Sequence, residues 1–329
     1  MRQSQQDQIV YHYCSLAAFK NIIENKCLWI CDVQKSNDRA ECDVLPEAIA
    51  AALDRRRPSR PDWPPAGTLA DREYHRICEL LHGSSQSFIP RRVYSISFSR
   101  RPDQLSQWRG YADNAAGMCI GFSSAYLQQL EAYGFTFQPI CYTQAQLDDI
   151  VSHYADTITA YIDRLAAMPD APQALTSQEH LEICREGTDI LADIQSRAPL
   201  FKKEDFSEEN EYRLCFSAKH QAFAGDPVWM STIDLAPQLQ VNHSNLFSLG
   251  PLQFRTAASG LQSYHELRFD APGVRDHFIR EIIIGPKSLV EVDDLYLFLH
   301  SCGFCAVDYE DTSFATLDIN IRKSELTYR

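Results

Sequence analysis

Three short stretches of this sequence carry residues of the kinds that handle protons, charge and flat rings. The first is Tyr11-His12-Tyr13, with Ser15 close behind and Asn37-Asp38 and Glu41 further on. The second is Ser97-Phe98-Ser99, followed by Gln107-Trp108-Arg109-Gly110-Tyr111. The third is Glu209-Asn210-Glu211-Tyr212-Arg213. A histidine titrates near neutrality and can hold or move a proton. A fixed carboxylate can counter a developing positive charge, and a second can orient or deprotonate an acceptor. If Glu209 and Glu211 lie on one strand they fall on the same face, and two like charges there repel unless something holds them. Each residue also has a plainer use. His12 suits a hydrogen-bonded structural role, Ser97 and Ser99 local bonding, and Trp108 and Tyr111 core packing. Glu209 and Glu211 suit a solvated face partnered by Arg213, and Asn37, Asp38 and Glu41 a capped turn.

The elements that must position these residues can be read from periodicity. Ile9 to Tyr13 is rich in β-formers, Ser15 is placed to cap a helix carrying Leu16, Phe19, Ile22 and Ile23, and Cys27 to Ile30 reads as a second short strand. Val93 to Ser99 alternates as a half-buried strand does, and Gly117 to Phe122 resembles its neighbour. Residues 46–90 mix a helical pattern with the Pro-rich, basic stretch Arg55 to Pro65 and read as an inserted helical and Pro-rich lid. Residues 143–200 carry two amphipathic patterns separated by Pro169-Asp170-Ala171-Pro172 and read as an inserted helical hairpin. Strands return at Tyr212 to Ser217, near Phe247, at Arg280 to Ile284 and near Ala306 to Tyr309, with a helix from Val290 to His300 before the last. The expectation is an α+β fold in a single composite domain spanning 1–329.

Several chemistries lose their support. The chain has no glycine-rich dinucleotide fingerprint, no phosphate loop, no His-Glu-x-x-His and no Gly-x-Ser-x-Gly. Cys302-x-x-Cys305 lacks the two further ligands of a structural zinc site, and the intervening Gly303 suits a helix C-cap. No metal is expected. Hydrophobic residues make up 45% and charged residues 23%, so a packed globular fold is the default over disorder. The polar opening Met1-Arg2-Gln3-Ser4-Gln5-Gln6-Asp7 does not resemble a secretory signal, and no apolar run is long enough to span a bilayer, so a cytoplasmic protein without a membrane partner is expected. The 11 cysteines, odd in number and irregular in spacing, then read as reduced thiols. A net charge of −13 repels nucleic acid on average, although a local basic groove such as Arg91-Arg92 with Arg100-Arg101 can survive it.

In order and spacing, Tyr-His-Tyr, Asn-Asp, Ser-Phe-Ser, Trp-x-x-Tyr and Glu-x-Glu-Tyr-Arg resemble a bacterial domain-of-unknown-function family. Tyr212 stands where that family usually has Trp, and the Asn-Asp pair lacks its usual following Pro. The family in turn resembles the ADP-ribosyltransferase superfamily. That resemblance implies a split β-sandwich with inserted helices, and NAD as substrate, bound without a dinucleotide fingerprint. Loss of nicotinamide leaves an oxocarbenium-like ribose, as glycoside cleavage does. Glu211 would counter that charge and accept from the ribose 2′-hydroxyl, and Glu209 would orient or deprotonate the acceptor. The NAD pocket would take His12 and Tyr13 from the first motif with Asn37 and Asp38, Ser97 or Ser99 beside the nicotinamide, and Trp108 or Tyr111 stacked on its ring.

The function expected on this resemblance is ADP-ribosyl transfer to a macromolecule, protein or nucleic acid, by a bacterial toxin or phage-defence effector with an antitoxin or immunity partner. Two alternatives remain open. One is a non-catalytic module that binds NAD, ADP-ribose or a protein. The other is a metal-dependent nuclease built from Asp38, Glu41, Glu209 and Glu211.

Overall fold

The first strand, β1 (Ile9–Cys14), runs straight into a capped helix in the computed structural model, which describes residues 8–35, 42–57, 62–83, 91–168, 177–219, 247–257, 260–271, 277–304 and 319–328. Ser15 accepts a hydrogen bond through Oγ from the Ala18 amide at 3.1 Å, which starts α1 (Leu16–Asn25). Such a cap contributes roughly 1 kcal/mol. Lys26 then takes a left-handed conformation (φ 49°) and turns the chain into β2 (Cys27–Asp32).

The longest ladder joins β3 (Arg91–Ser99) to β6 (Glu211–Lys219) along the full length of both, from Arg91 opposite Lys219 to Ser99 opposite Glu211. The other strands are β4 (Met118–Ser123), β5 (Phe135–Pro139), β7 (Ser248–Leu249), β8 (Gln253–Ala257), β9 (Gly260–Arg268), β10 (Ile279–Ile284) and β11 (Asn320–Lys323). Among the described residues the sheet order is β11-β10-β4-β1-β3-β2-β9-β7, with β6 between β3 and β5 and β8 beside β9. The pairings between these strands are antiparallel except that of β10 with β11.

The free edge of β3 is divided between two partners. Its first half pairs with β2, where Cys31 lies opposite Ser95, and its last residue pairs with β1, where Tyr11 lies opposite Ser99. Between these points β1 and β2 part, and the sheet opens there. The two faces of β3 feed two cores. Tyr94, Ile96 and Phe98 join Val10, Phe122, Leu214 and Phe216 under α1. Closing the same core are α5 (Ser124–Gln129), through Leu127, and α8 (Val292–Ser301), through Leu295 and Leu299. Val93 and Cys215 face the other way, into a helical layer of α2 (Val44–Arg56), α3 (Leu69–Leu81), α6 (Gln144–Ala166) and α7 (Ser177–Arg197). A smaller cluster on that side of β1 joins Tyr11 and Tyr13 to Trp108 of α4 (Leu105–Tyr111).

The α+β expectation therefore holds, with an open, mostly antiparallel sheet and helices on both faces. The β8–β9 hairpin and β5 were not anticipated, and Trp108 and Tyr111 lie on a helix. Gly303 has φ 79° just past α8, the left-handed cap its position in the sequence suggested. The strand expected near Ala306 to Tyr309 lies outside the described residues. No helix among the described residues is long and apolar enough to cross a membrane.

Candidate active site

Lys202 lies at the centre of the most heavily charged part of the interior. A bridge between Cys141 and Phe201, with the Lys202 amide donating to the Cys141 carbonyl at 3.1 Å, fixes the backbone on either side of it. The chain then makes a 3-10 turn over Glu204–Glu209, Asn210 takes a left-handed conformation (φ 46°), and β6 begins at Glu211. Asn210 is held by its carbonyl, which accepts from the Arg100 amide at 2.9 Å. Glu211 is held at both ends of its backbone: its carbonyl accepts from the Ile140 amide at 2.9 Å and its amide donates to the Tyr142 hydroxyl at 3.1 Å.

The Lys202 ammonium stands between two carboxylates, 2.6 Å from Glu209 Oε2 and 2.7 Å from Glu211 Oε2. Glu211 also takes Arg213, through Nε at 2.6 Å on Oε1 and a second guanidinium nitrogen at 3.3 Å on Oε2. Arg213 donates further to the Pro199 carbonyl at 2.7 Å. Among the described residues, Glu209 meets Lys202 and the Tyr111 hydroxyl, which donates to Oε1 at 3.0 Å. Burial opposes ionisation of Glu211, yet Arg213 and Lys202 outweigh it and hold the pKa below the ordinary carboxylate value. Burial likewise opposes the charge on Lys202, and Glu211, joined by Glu209, keeps its pKa above the ordinary lysine value. Tyr111 is raised by burial and then by Glu209, and burial pushes Tyr142 up to about 12. Among the described residues, the cluster thus sets two carboxylates against two cations, with both phenols protonated at neutral pH.

This arrangement corrects the one-strand reading of the carboxylates. Glu209 lies in the 3-10 turn and not on β6, because the left-handed Asn210 interrupts the extended backbone between them. Lys202, and not strand periodicity, brings the two carboxylates together. Glu211 is nearly sealed, with a side chain 5% exposed, whereas that of Glu209 is 16% exposed. Tyr111 is 50% exposed beside it.

The remaining expected residues divide by face. Since Tyr11 pairs with Ser99, and Ser99 with Glu211, the alternation of β1 puts Tyr11 and Tyr13 on the Glu211 side and His12 on the other. The His12 ring meets Phe98 edge-on with centroids 6.0 Å apart, and its Nδ1 donates to the Ser97 carbonyl at 3.0 Å. That carbonyl lies where β1 and β2 part, so the imidazole fills the gap in the ladder. Burial lowers the His12 pKa and keeps the ring neutral. The structure therefore does not bring His12 together with Glu211.

Tyr13 serves the loop ahead of α4, donating to the Arg101 carbonyl and accepting from the Gln104 amide, both at 2.9 Å. Ser99 Oγ donates to the Glu209 carbonyl at 2.9 Å and accepts from the Arg101 amide at 3.2 Å, while Ser97 is exposed on the same face as Arg213. Trp108 is fully buried and packs edge-on against Tyr13 at 4.9 Å, so of the two expected stacking rings only Tyr111 can meet a ligand. Asn37, Asp38 and Glu41 lie outside the described residues. Lys202 and Tyr142 were not anticipated. The only hint of Lys202 was a basic pair, Lys202-Lys203, just before the acidic run Glu204 to Glu209.

With the geometry in place, the chain can be set against known proteins. Residues 107–214 match DUF2971, a protein family of unknown function. The matched stretch runs from α4 to the start of β6. It contains Trp108, Tyr111, Lys202, Glu209, Glu211 and Arg213, the whole of the charged cluster. No curated protein and no solved structure matches the chain.

Proposed function

We propose that this protein is an NAD-dependent ADP-ribosyltransferase acting on a macromolecule, with Glu209 as the carboxylate that faces the reacting ribose. The observation that carries the reading is the difference between two carboxylates sharing one ammonium. Glu211 receives Lys202 and two nitrogens of Arg213 and is sealed from solvent. Among the described residues, Glu209 accepts one donor on each oxygen, leaving each a second acceptor site next to an exposed phenol. A partly exposed carboxylate held rigidly on two sides suits a transition state in which positive charge develops on a sugar. Glu211 then acts through Lys202 as a positioning residue. Ser97 and Tyr111 are the exposed groups able to meet the nicotinamide ribose and ring.

The test uses NAD labelled in its adenylate part, following nicotinamide release and label transfer to cell extract. The wild type is expected to release nicotinamide and to label protein or nucleic acid, and Glu209→Gln to lose both by at least about 100-fold while keeping its fold. Release without transfer would leave a glycohydrolase and remove the toxin or phage-defence role, along with its antitoxin partner. A second reading draws on the saturation of Glu211: a module that binds NAD or ADP-ribose without chemistry, for which labelled NAD would bind and nicotinamide would not appear. The nuclease reading has less support, because the Lys202 ammonium stands between the carboxylates where a divalent cation would have to lie.

A further inference from the structure

Asp103 is drawn into more bonds than a turn residue needs. It sits between β3 and α4 with φ 57°, a left-handed conformation that costs an aspartate of order 1 kcal/mol. Oδ1 accepts from the buried Trp108 indole at 2.8 Å and from the Ser324 hydroxyl. Oδ2 accepts from the Glu325 amide at 2.7 Å and lies 3.6 Å from Arg322, whose Nε is bonded to Glu281 at 2.9 Å. One carboxylate therefore ties α4 to a segment more than 200 residues away in sequence.

That segment follows β11 across the outer side of α4. Leu326 and Tyr328 pack on the cluster of Tyr11, Tyr13 and Trp108, Lys287 lies over the Tyr328 ring at 4.2 Å, and the Tyr328 hydroxyl donates to Asn114 at 2.8 Å. Helix α4 has only seven residues, too short to hold its own shape, and it ends in Tyr111, the phenol bonded to Glu209. We propose that Asp103 is a positioning residue, clamping the 324–328 segment onto α4 and so setting Tyr111 against Glu209. The catalytic consequence rests on the reading of Glu209 given above; the clamp itself does not.

The experiment compares the full chain with Asp103→Ala, Asp103→Asn and Tyr328→Ala. Amide exchange across 105–116 and the 13C shift of the Tyr111 ring Cζ, assigned with Tyr111→Phe, report the clamp without reference to activity. Asp103→Ala and Tyr328→Ala are expected to speed exchange there by about tenfold or more and to move the Tyr111 shift toward that of a solvated phenol. Asp103→Asn tolerates the left-handed backbone and keeps an acceptor for Trp108 and Ser324, but its amide nitrogen cannot accept from the Glu325 amide, so it should restore only part of both signals. If nicotinamide release is observed, kcat should fall about tenfold in Asp103→Ala with KM for NAD little changed. Unchanged exchange would overturn the clamp, and faster exchange with an unmoved Tyr111 shift would reduce it to local stabilisation of the helix. A wild type that releases no nicotinamide would remove the proposed function and leave exchange and shift to decide the clamp.

Discussion

The two ends of β3 each bury a carboxylate against an arginine, and they do so differently. Near its start, Asp32 is fully buried and meets Arg92 at 2.6 Å, an arginine whose side chain is 44% exposed. The other acceptor sites of Asp32 go to the Gln34 amide and, more loosely, to the Ser263 hydroxyl. The result is a closed joint between β2, β3 and β9. At the far end both members of the Glu211–Arg213 pair are sealed, and a second cation, Lys202, links them outward to Glu209 and the exposed Tyr111. The first pair meets solvent through the arginine itself; the second is sealed and reaches the surface only through a chain of side chains, Lys202 to Glu209 to Tyr111. Buried charge that serves only stability gains nothing from such an outward chain, since ion pairs of this kind return little more than their desolvation costs. A carboxylate presented to solvent on a sealed, charged support is what separates a candidate site from a structural joint, where the carboxylate itself is buried.

The sharpest way to break this contrast is to remove the linking cation. Lys202→Met leaves Glu211 with Arg213 alone and strips Glu209 of its counter-ion, and urea unfolding should show a loss of about 3–5 kcal/mol. Arg92→Ala should lose roughly 1–3 kcal/mol by the same measurement, since the Asp32 carboxylate keeps its other donors. Equal losses would erase the distinction between the two ends.

Glu209→Gln should separate activity from fold: release of nicotinamide falls by about 100-fold or more, with unfolding free energy within about 1 kcal/mol of wild type. If Glu211→Gln proved the stable, inactive variant instead, the roles assigned to the two carboxylates would be exchanged.

Acid sensitivity sharpens the contrast further. The Glu211 pKa lies below its ordinary value of 4.5, so the unfolded chain takes up the proton first; the stabilisation is complete above that pH and is lost as pH falls through the lower, folded value. Melting temperature in wild type should therefore drop below about pH 4.5, and Glu211→Gln should remove part of that drop. His12 and His265, both held neutral by burial, add a separate loss that begins near their ordinary value of 6.5. That limb should survive in Glu211→Gln. The smallest effect is expected at Tyr111→Phe, with stability changed by less than about 0.5 kcal/mol and turnover reduced several-fold.

Much of this was legible in the sequence, for identifiable reasons. Helix α1 was marked by Ser15 and the spacing of Phe19, Ile22 and Ile23, and α6 by a long amphipathic face; local signals suffice where one residue caps and several pack. The motifs around Tyr111 and Glu211 come together in the fold, through the Tyr111 bond to Glu209 and the Lys202 bridge from Glu209 to Glu211. What could not be read was which side each residue faces. His12 falls on the wrong face for Glu211 through a single step of strand alternation, and the register depends on Tyr11 meeting Ser99 across the sheet. Glu209 was misplaced because nothing in Glu-Asn-Glu announces that the middle residue turns left-handed. Lys202 and Asp103 escaped notice because their partners are supplied by tertiary contacts, which leave no period behind.

The ladder between β3 and β6 also bears on how the chain reaches its fold. Residue 91 must wait for residue 219, so the longest pairing in the sheet closes a loop of well over 100 residues. Closing a loop of that length slows folding far more than it lowers final stability. During synthesis β3 emerges with its β6 edge bare, and the alternating apolar strand Val93 to Phe98 stays available to other chains until the ribosome has delivered β6, through Lys219. A nascent chain arrested before β6 is the form most exposed to aggregation and most in need of a chaperone.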